Sequence, residues 1–322
     1  MNNHRSVNRG KAPARSPRPA AFAKAATLAF AIFAFASAQQ AAADPLSRNQ
    51  AKRMYDRLTG TPPSPAVLDQ LETKVQQVGL ADTALFIVDN TADPRSSNFY
   101  SVTLKNFATP WTNRDRTVFA PLNDYTATVI GMVRDDKDFR GILSDDILYV
   151  GNASPAYSAT DNAHYEALES NNADLRAVLQ PRAQSSLNGL PPEATAGVIT
   201  SRAASEAFFI DGTNRAMFRF TLLNHLCRDM EQVHDTSRPP DRIRQDVTRS
   251  PGGDSSVFLN NCIGCHSGMD PMAQAFAYYN YDETPGVERL IYTPGTVAGK
   301  YRINMDNFKE VFNFQNSIHN RY

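Results

Sequence analysis

Two thiols and an imidazole stand at a spacing that can do chemistry: Cys262-Ile263-Gly264-Cys265-His266. Thiols three positions apart can reach the two vinyl-derived carbons on one edge of a porphyrin, and a histidine directly after them is then held over the iron. Covalent attachment and ligation become one local event. The pattern is therefore expected to carry a single covalent haem c, with Cys262 and Cys265 as the thioether residues and His266 as the proximal iron ligand. Two other readings of the pair stay open. A thioredoxin-like redox site calls for a βαβ context that the surrounding sequence does not supply. A zinc site usually takes four ligands, and Cys227 is the only other cysteine in the chain.

The far face of such an iron decides its use. A methionine or histidine there suits electron transfer, whereas an open face suits ligand binding or peroxide chemistry. Met305, in the polar, irregular stretch from Lys300 to Asn307, is the candidate distal ligand, because a methionine on a loop can swing over the opposite face. Its competing reading is an ordinary half-buried methionine. Met269 and Met272 follow the motif closely and read as packing. Among the histidines, His225 lies off an apolar arc and reads as solvated, and His164 belongs to a polar helix. His234 reads as a cation at a helix C-terminus, and His319 lies near a chain end that can fray. No Gly-x-Ser-x-Gly elbow occurs, and the acids Asp135, Asp136, Asp138, Asp145 and Asp146 fit no EF-hand spacing.

Around these residues the chain shows a leader and a helical body. The first 43 residues hold six basic residues (Arg5, Arg9, Lys11, Arg15, Arg18, Lys24) and no acid, followed by the apolar run Ala25 to Ala38. That is the layout of a secretory signal peptide, with Ala36-Ser37-Ala38 and Ala41-Ala42-Ala43 as alternative cleavage sites. The apolar run is too short to span a bilayer core, so no stable membrane span is expected after cleavage, and a periplasmic location follows. Adjacent arginines are absent, which favours the general export route. Residues 44–322 hold 27 of the 33 basic residues and all 33 acids, a formal charge of about −6. That balance gives no footprint for nucleic acid, whose binding rests on basic patches.

Most of the mature chain reads as helix with long irregular connections. Ser47 can cap a helix through Leu58 that stops at Gly60. Ser64-Pro65 offers a cap followed by proline at the first helical position, with a helix to Gly79 whose Leu68, Leu71, Val75 and Val78 share a face. Further helices are expected over Ala81 to Asp89, Tyr125 to Asp135 and Asn162 to Leu179. The clearest runs from Asn214 to Val233, with Cys227 in its apolar stripe as a small core residue. Ser255 to Asn261 can form a short helix leading into Cys262. Asp270-Pro271 reads as a cap before a helix to about Tyr279. No run of alternating strands is convincing. Proline- and glycine-containing turns between Ser237 and Asp254 mark a boundary near residue 237. The expected organisation is a signal peptide (1–43), a helical domain of unknown function (44–236) and a c-type haem domain (237–322). The fold class is mainly α, a helical N-terminal region plus a small C-terminal cytochrome c-like domain with long loops.

The stretch from Cys262 through Ser267-Gly268-Met269-Asp270-Pro271, followed by Ala275-Phe276 and Tyr281-Asp282-Glu283, resembles the haem segment of exported planctomycete-type cytochrome c domain proteins, which also occur in proteobacteria. Upstream, Ala196-Gly197-Val198-Ile199-Thr200, Gly212-Thr213-Asn214-Arg215 and Leu226-Cys227 are similar to the helical domain that precedes the motif in that family. The likeness runs from about residue 195 to 285, and is weaker over Leu46 to Leu68. It implies a periplasmic haem protein. One departure is that the chain ends 56 residues after His266, so a haem domain here either borrows its walls from the preceding helices or is abbreviated. The expected function is single-electron transfer with a periplasmic redox partner protein. The alternatives are a peroxidase-like haem enzyme with an open distal site and a haem-stabilised interaction subunit. Fold resemblance alone does not choose among them.

Overall fold

The structure is a computed structural model that describes residues 45–209, 214–237, 249–276 and 278–294; the expected leader, Met305 and His319 lie outside the described residues. The longer helices are α1 (Pro45–Thr59), α2 (Pro65–Asp89), α3 (Asp124–Arg134), α4 (Ala163–Ser170), α5 (Arg202–Phe208), α6 (Arg215–His225) and α7 (Ile263–Ala273), and the chain is mainly helical.

Proline opens both helices of the first hairpin, where its missing N–H has no intrahelical partner to lose. Ser64 Oγ accepts from the Val67 N–H at 3.3 Å, as its capping position predicts. Gly79 takes φ 83°, a left-handed value open to glycine, so α2 is two helical pieces meeting there. Ala51, Tyr55, Leu71 and Ile87 form a small core of their own between α1 and α2, with Leu68 and Val75 packed around it. Val78 departs from the expected face and is exposed. Arg48, in the first turn of α1, pairs with Asp69 and Glu72 on α2.

The main core forms around α3, which is buried from Asp124 to Met132 on every side. A helix apolar or small all round belongs inside a core. Asn123 Oδ1 caps it by accepting from Thr126 N at 3.0 Å. The buried Asp124 carboxylate then accepts the N–H groups of Arg202 at 2.6 Å and Ala203 at 3.0 Å, which locks the start of α5 onto the start of α3. These donors lack partners within their own helix, so a carboxylate there satisfies them and meets the positive end of the helix.

Several expected helices are shorter than their periodicity suggested. The stretch from Asn162 breaks at Asn172, which has φ 50°, and resumes only as the turn Leu175–Val178. The stretch from Asn214 ends at His225, because Cys227 adopts φ 50°; a 3-10 turn, Met230–Val233, follows under a cap from Asp229. Cys227 is accordingly exposed rather than part of a core stripe. Two antiparallel strand pairs are also present: β1 (Leu148–Val150) with β2 (Gln180–Arg182), and β3 (Tyr279–Asp282) with β4 (Arg289–Tyr292). Tyr279 therefore starts a strand, and the helix expected to end there lies earlier in the chain.

Residues on both sides of position 237 contribute to one core. Phe208 stacks on Phe220 at 4.6 Å between ring centroids, Phe209 meets the edge of Phe276 at 5.6 Å, and Tyr281 and Leu290 join the same cluster. Asn214 Nδ2 donates to the carbonyls of Phe276 and Tyr279, and Tyr279 Oη donates to that of Ala194. Among the described residues no helix is long and apolar enough to cross a membrane.

Candidate functional site

The motif sits in one continuous helical run whose pitch changes along its length. Asp254 Oδ1 accepts from Ser256 N at 2.8 Å and starts the turn Ser255–Val257. A π-helical turn, Phe258–Cys262, leads into α7, and a 3-10 turn, Gln274–Phe276, ends the run. π-turns are uncommon and concentrate at functional sites. Here the wide turn ends at Cys262, and Cys265 and His266 follow in regular α-helix. Offsets of three and four residues put the three side chains on one face. All three are half-buried, and neither Cys262 nor Cys265 is in a disulfide.

The opposite face of α7 is closed by main chain. Asp235 N donates to the Gly264 carbonyl at 3.1 Å, and Ser267 Oγ donates to the carbonyls of Asp235 and Ile263. A Cβ at Gly264 would lie 1.8 Å from His234 Nε2, so the absence of a side chain permits this approach. His234 itself is exposed.

Asp270, expected as a helix cap, lies inside α7 one turn after His266 and is completely buried. His266 Nδ1 lies 3.2 and 3.1 Å from its two carboxylate oxygens. Arg215, the first residue of α6, donates to the same carboxylate from Nε at 2.5 Å and from a terminal nitrogen at 3.2 Å. Burial works against ionisation of Asp270, but the hydrogen bonds from His266 and Arg215 outweigh it and hold the carboxyl below its ordinary range. Phe258, fully buried, places its ring 6.2 Å from the His266 ring. Asp270 and Arg215 were not picked out from sequence. The signal was present in the i,i+4 spacing of His266 and Asp270, which brings two side chains together only if the helix runs through the motif.

This donor set suits a group gripped by two sulfurs and one imidazole nitrogen. Among the described residues no group of three or more His, Cys, Asp or Glu is arranged to hold a metal ion. Burial, then Glu231 and Asp229, push the Cys265 thiol above its ordinary value. An activated dithiol needs the reverse, a lowered thiol.

Two of the other histidines, His164 and His225, differ from expectation. His164 is buried rather than solvated, with Nδ1 on the Pro155 carbonyl at 2.8 Å and Nε2 accepting from Gly151 N at 3.1 Å. His225 lies between Trp111 and Tyr125, with Nε2 2.6 Å from Tyr125 Oη, and burial lowers it to about 4. Both sit on the inner side of short helices whose arcs are set by tertiary contacts. Met269 and Met272 are half-buried on α7. A separate cleft of about 620 Å³ is lined by Asn113, Arg114, Asp161, Glu166, Arg202 and Glu206 among others, and by no residue of the motif.

No family model, curated protein or solved structure matches the chain.

Proposed function

We propose that the chain is an exported monohaem c-type cytochrome that passes single electrons between periplasmic partner proteins. Residues 1–43 are its leader, Cys262 and Cys265 hold the porphyrin through thioethers, and His266 ligates the iron. Met305 is the proposed ligand on the far face, in a C-terminal domain of cytochrome c type. The bound group supplies the one-electron couple; the protein sets its potential through ligands, burial and hydrogen bonds.

The observation that carries this reading is the arrangement of three half-buried side chains on one helix face: two free thiols and an imidazole whose Nδ1 is turned back to Asp270. Val257 and Leu259, 37% and 48% exposed in the turns just before the motif, add apolar surface next to it. Exposed apolar area of this kind suits a flat apolar partner. What the residues themselves do is bind, orient and exclude water. Phe258 and Asp270 restrain the His266 ring, and the clamp at Gly264 and Ser267 keeps α7 in place.

The test is maturation of the full chain in a bacterial periplasm, followed by a reduced-minus-oxidised spectrum and intact mass. The expected result is a pyridine haemochrome of thioether-linked type and one haem retained after denaturation, lost in Cys262→Ser with Cys265→Ala. A colourless mature chain, or pigment fully extracted by acidified organic solvent, would overturn it. A second reading, an enzyme with an open far face, is favoured by the carboxylate on Nδ1, which makes a ligating imidazole more basic. Rapid carbon monoxide binding to a high-spin reduced form would support that reading. A far-red band lost in Met305→Ala supports the first.

A further inference from the structure

The geometry points to Asp270, backed by Arg215, as the positioning residue for His266: the pair fixes which ring nitrogen is free and sets the reduction potential of the centre. This deepens the cytochrome reading and rests on it.

An ionised carboxylate only accepts hydrogen bonds. Both Asp270 oxygens lie within 3.2 Å of His266 Nδ1, so the ring proton sits on Nδ1 and the lone pair is left on Nε2. Nε2 makes no hydrogen bond among the described residues. Metal-ligating histidines generally need such a partner on the second nitrogen to fix ring and tautomer. Here the partner is rigid. His266 and Asp270 are one turn apart on α7, and Asp270 is fully buried. Arg215 holds both carboxylate oxygens from α6, and its neighbour Asn214 is tied by Nδ2 to the carbonyls of Phe276 and Tyr279, just beyond α7.

The electrostatics give the two partners opposite signs. Negative charge on the far side of the imidazole makes the ligand more basic and favours the more positively charged oxidation state, lowering the potential. The Arg215 guanidinium draws on the same oxygens and weakens that effect. Removing the Asp270 charge therefore raises the potential, and removing the Arg215 charge lowers it. Damage to packing alone has no reason to split the two in this way.

The experiment uses the holoprotein matured in the periplasm, with spectroelectrochemical titration at one fixed pH. Asp270→Asn keeps a carbonyl that can accept from Nδ1 and is expected to raise the potential by a tenfold shift of the one-electron equilibrium, about 59 mV. Arg215→Gln is expected to lower it by a smaller amount, and Arg215→Lys to leave it near the wild-type value. Variants that retain covalent haem but leave the potential unmoved, or move it in the same direction, would overturn the positioning role while the cytochrome reading stands. A wild-type chain without haem would overturn both. If Asp270→Asn does not accumulate, the two Arg215 variants decide by themselves: a lowered potential in Gln with recovery in Lys supports the role, and no difference between them rejects it.

Discussion

The two ends of α6 reach two histidines that are put to different uses. At the first residue, Arg215 engages the carboxylate that receives His266 Nδ1. At the last, His225 is enclosed by Trp111 at 5.4 Å and Tyr125 at 6.1 Å between ring centroids, with its Nε2 on the Tyr125 hydroxyl. Burial raises Tyr125 far above the usual phenol range, so its hydroxyl keeps its proton and can donate to that nitrogen. One imidazole is thus oriented by charge, with no hydrogen bond on its other nitrogen among the described residues, while the other is half-buried between aromatic rings and held neutral by desolvation. The lesson is that a histidine's role follows from the partner on its second nitrogen, and burial alone does not identify it.

Stability measurements on the chain without haem separate the two histidines most directly. His225→Ala leaves a gap beside Trp111 and strands the buried Tyr125 hydroxyl, and is expected to cost about 3 kcal/mol. His266→Ala leaves Asp270 still paired with Arg215 and is expected to cost about 1 kcal/mol. Urea midpoints with unchanged m-values read the difference, and equal losses would make His266 a structural residue. Dependence on pH separates them further. His225 is lowered from 6.5 to about 4, so the unfolded chain binds its proton more readily between those values. The contribution of His225 is therefore fully present above about pH 6.5 and lost as pH falls to about 4, a change of roughly 2–3 kcal/mol. His225→Gln should flatten that part of the profile; an unchanged slope would place the effect elsewhere. The smallest effect belongs to Gly264→Ala. The clash falls on the tip of the exposed His234 side chain, which can rotate away, and alanine is the better helix former. Thermal unfolding should shift by no more than the equivalent of about 0.5 kcal/mol.

The helical class, the Ser64 cap, the Gly79 break and the helix beginning near Tyr125 were legible because they depend on local chemistry: a hydroxyl before proline, a glycine, an apolar run. The early end of α6 was not. Its apolar spacing continues past His225, but Cys227 turns the backbone to φ 50°, and no residue type there announces a left-handed position. The burial of His164 and the partial burial of His225 also depended on contacts from distant segments, Pro155 and Gly151 for one and Trp111 with Tyr125 for the other. At the motif, the thiols and the imidazole could be named from spacing. Their carboxylate partner was hidden because Asp270-Pro271 carries the signature of a helix start. The helical run had already begun at Ser255, so the aspartate was left facing inward at the position where Arg215 arrives from another helix.

Phe276, Tyr281 and Leu290 are seated among Phe208, Phe209, Met217 and Phe220, and this bears on transplantation of the motif. The portable cassette is not the stretch that begins after residue 237. Excised there, it would leave behind the arginine that braces its aspartate and the aromatic rings that seat its hairpin. A graft onto another scaffold would have to carry α5 and α6 with it.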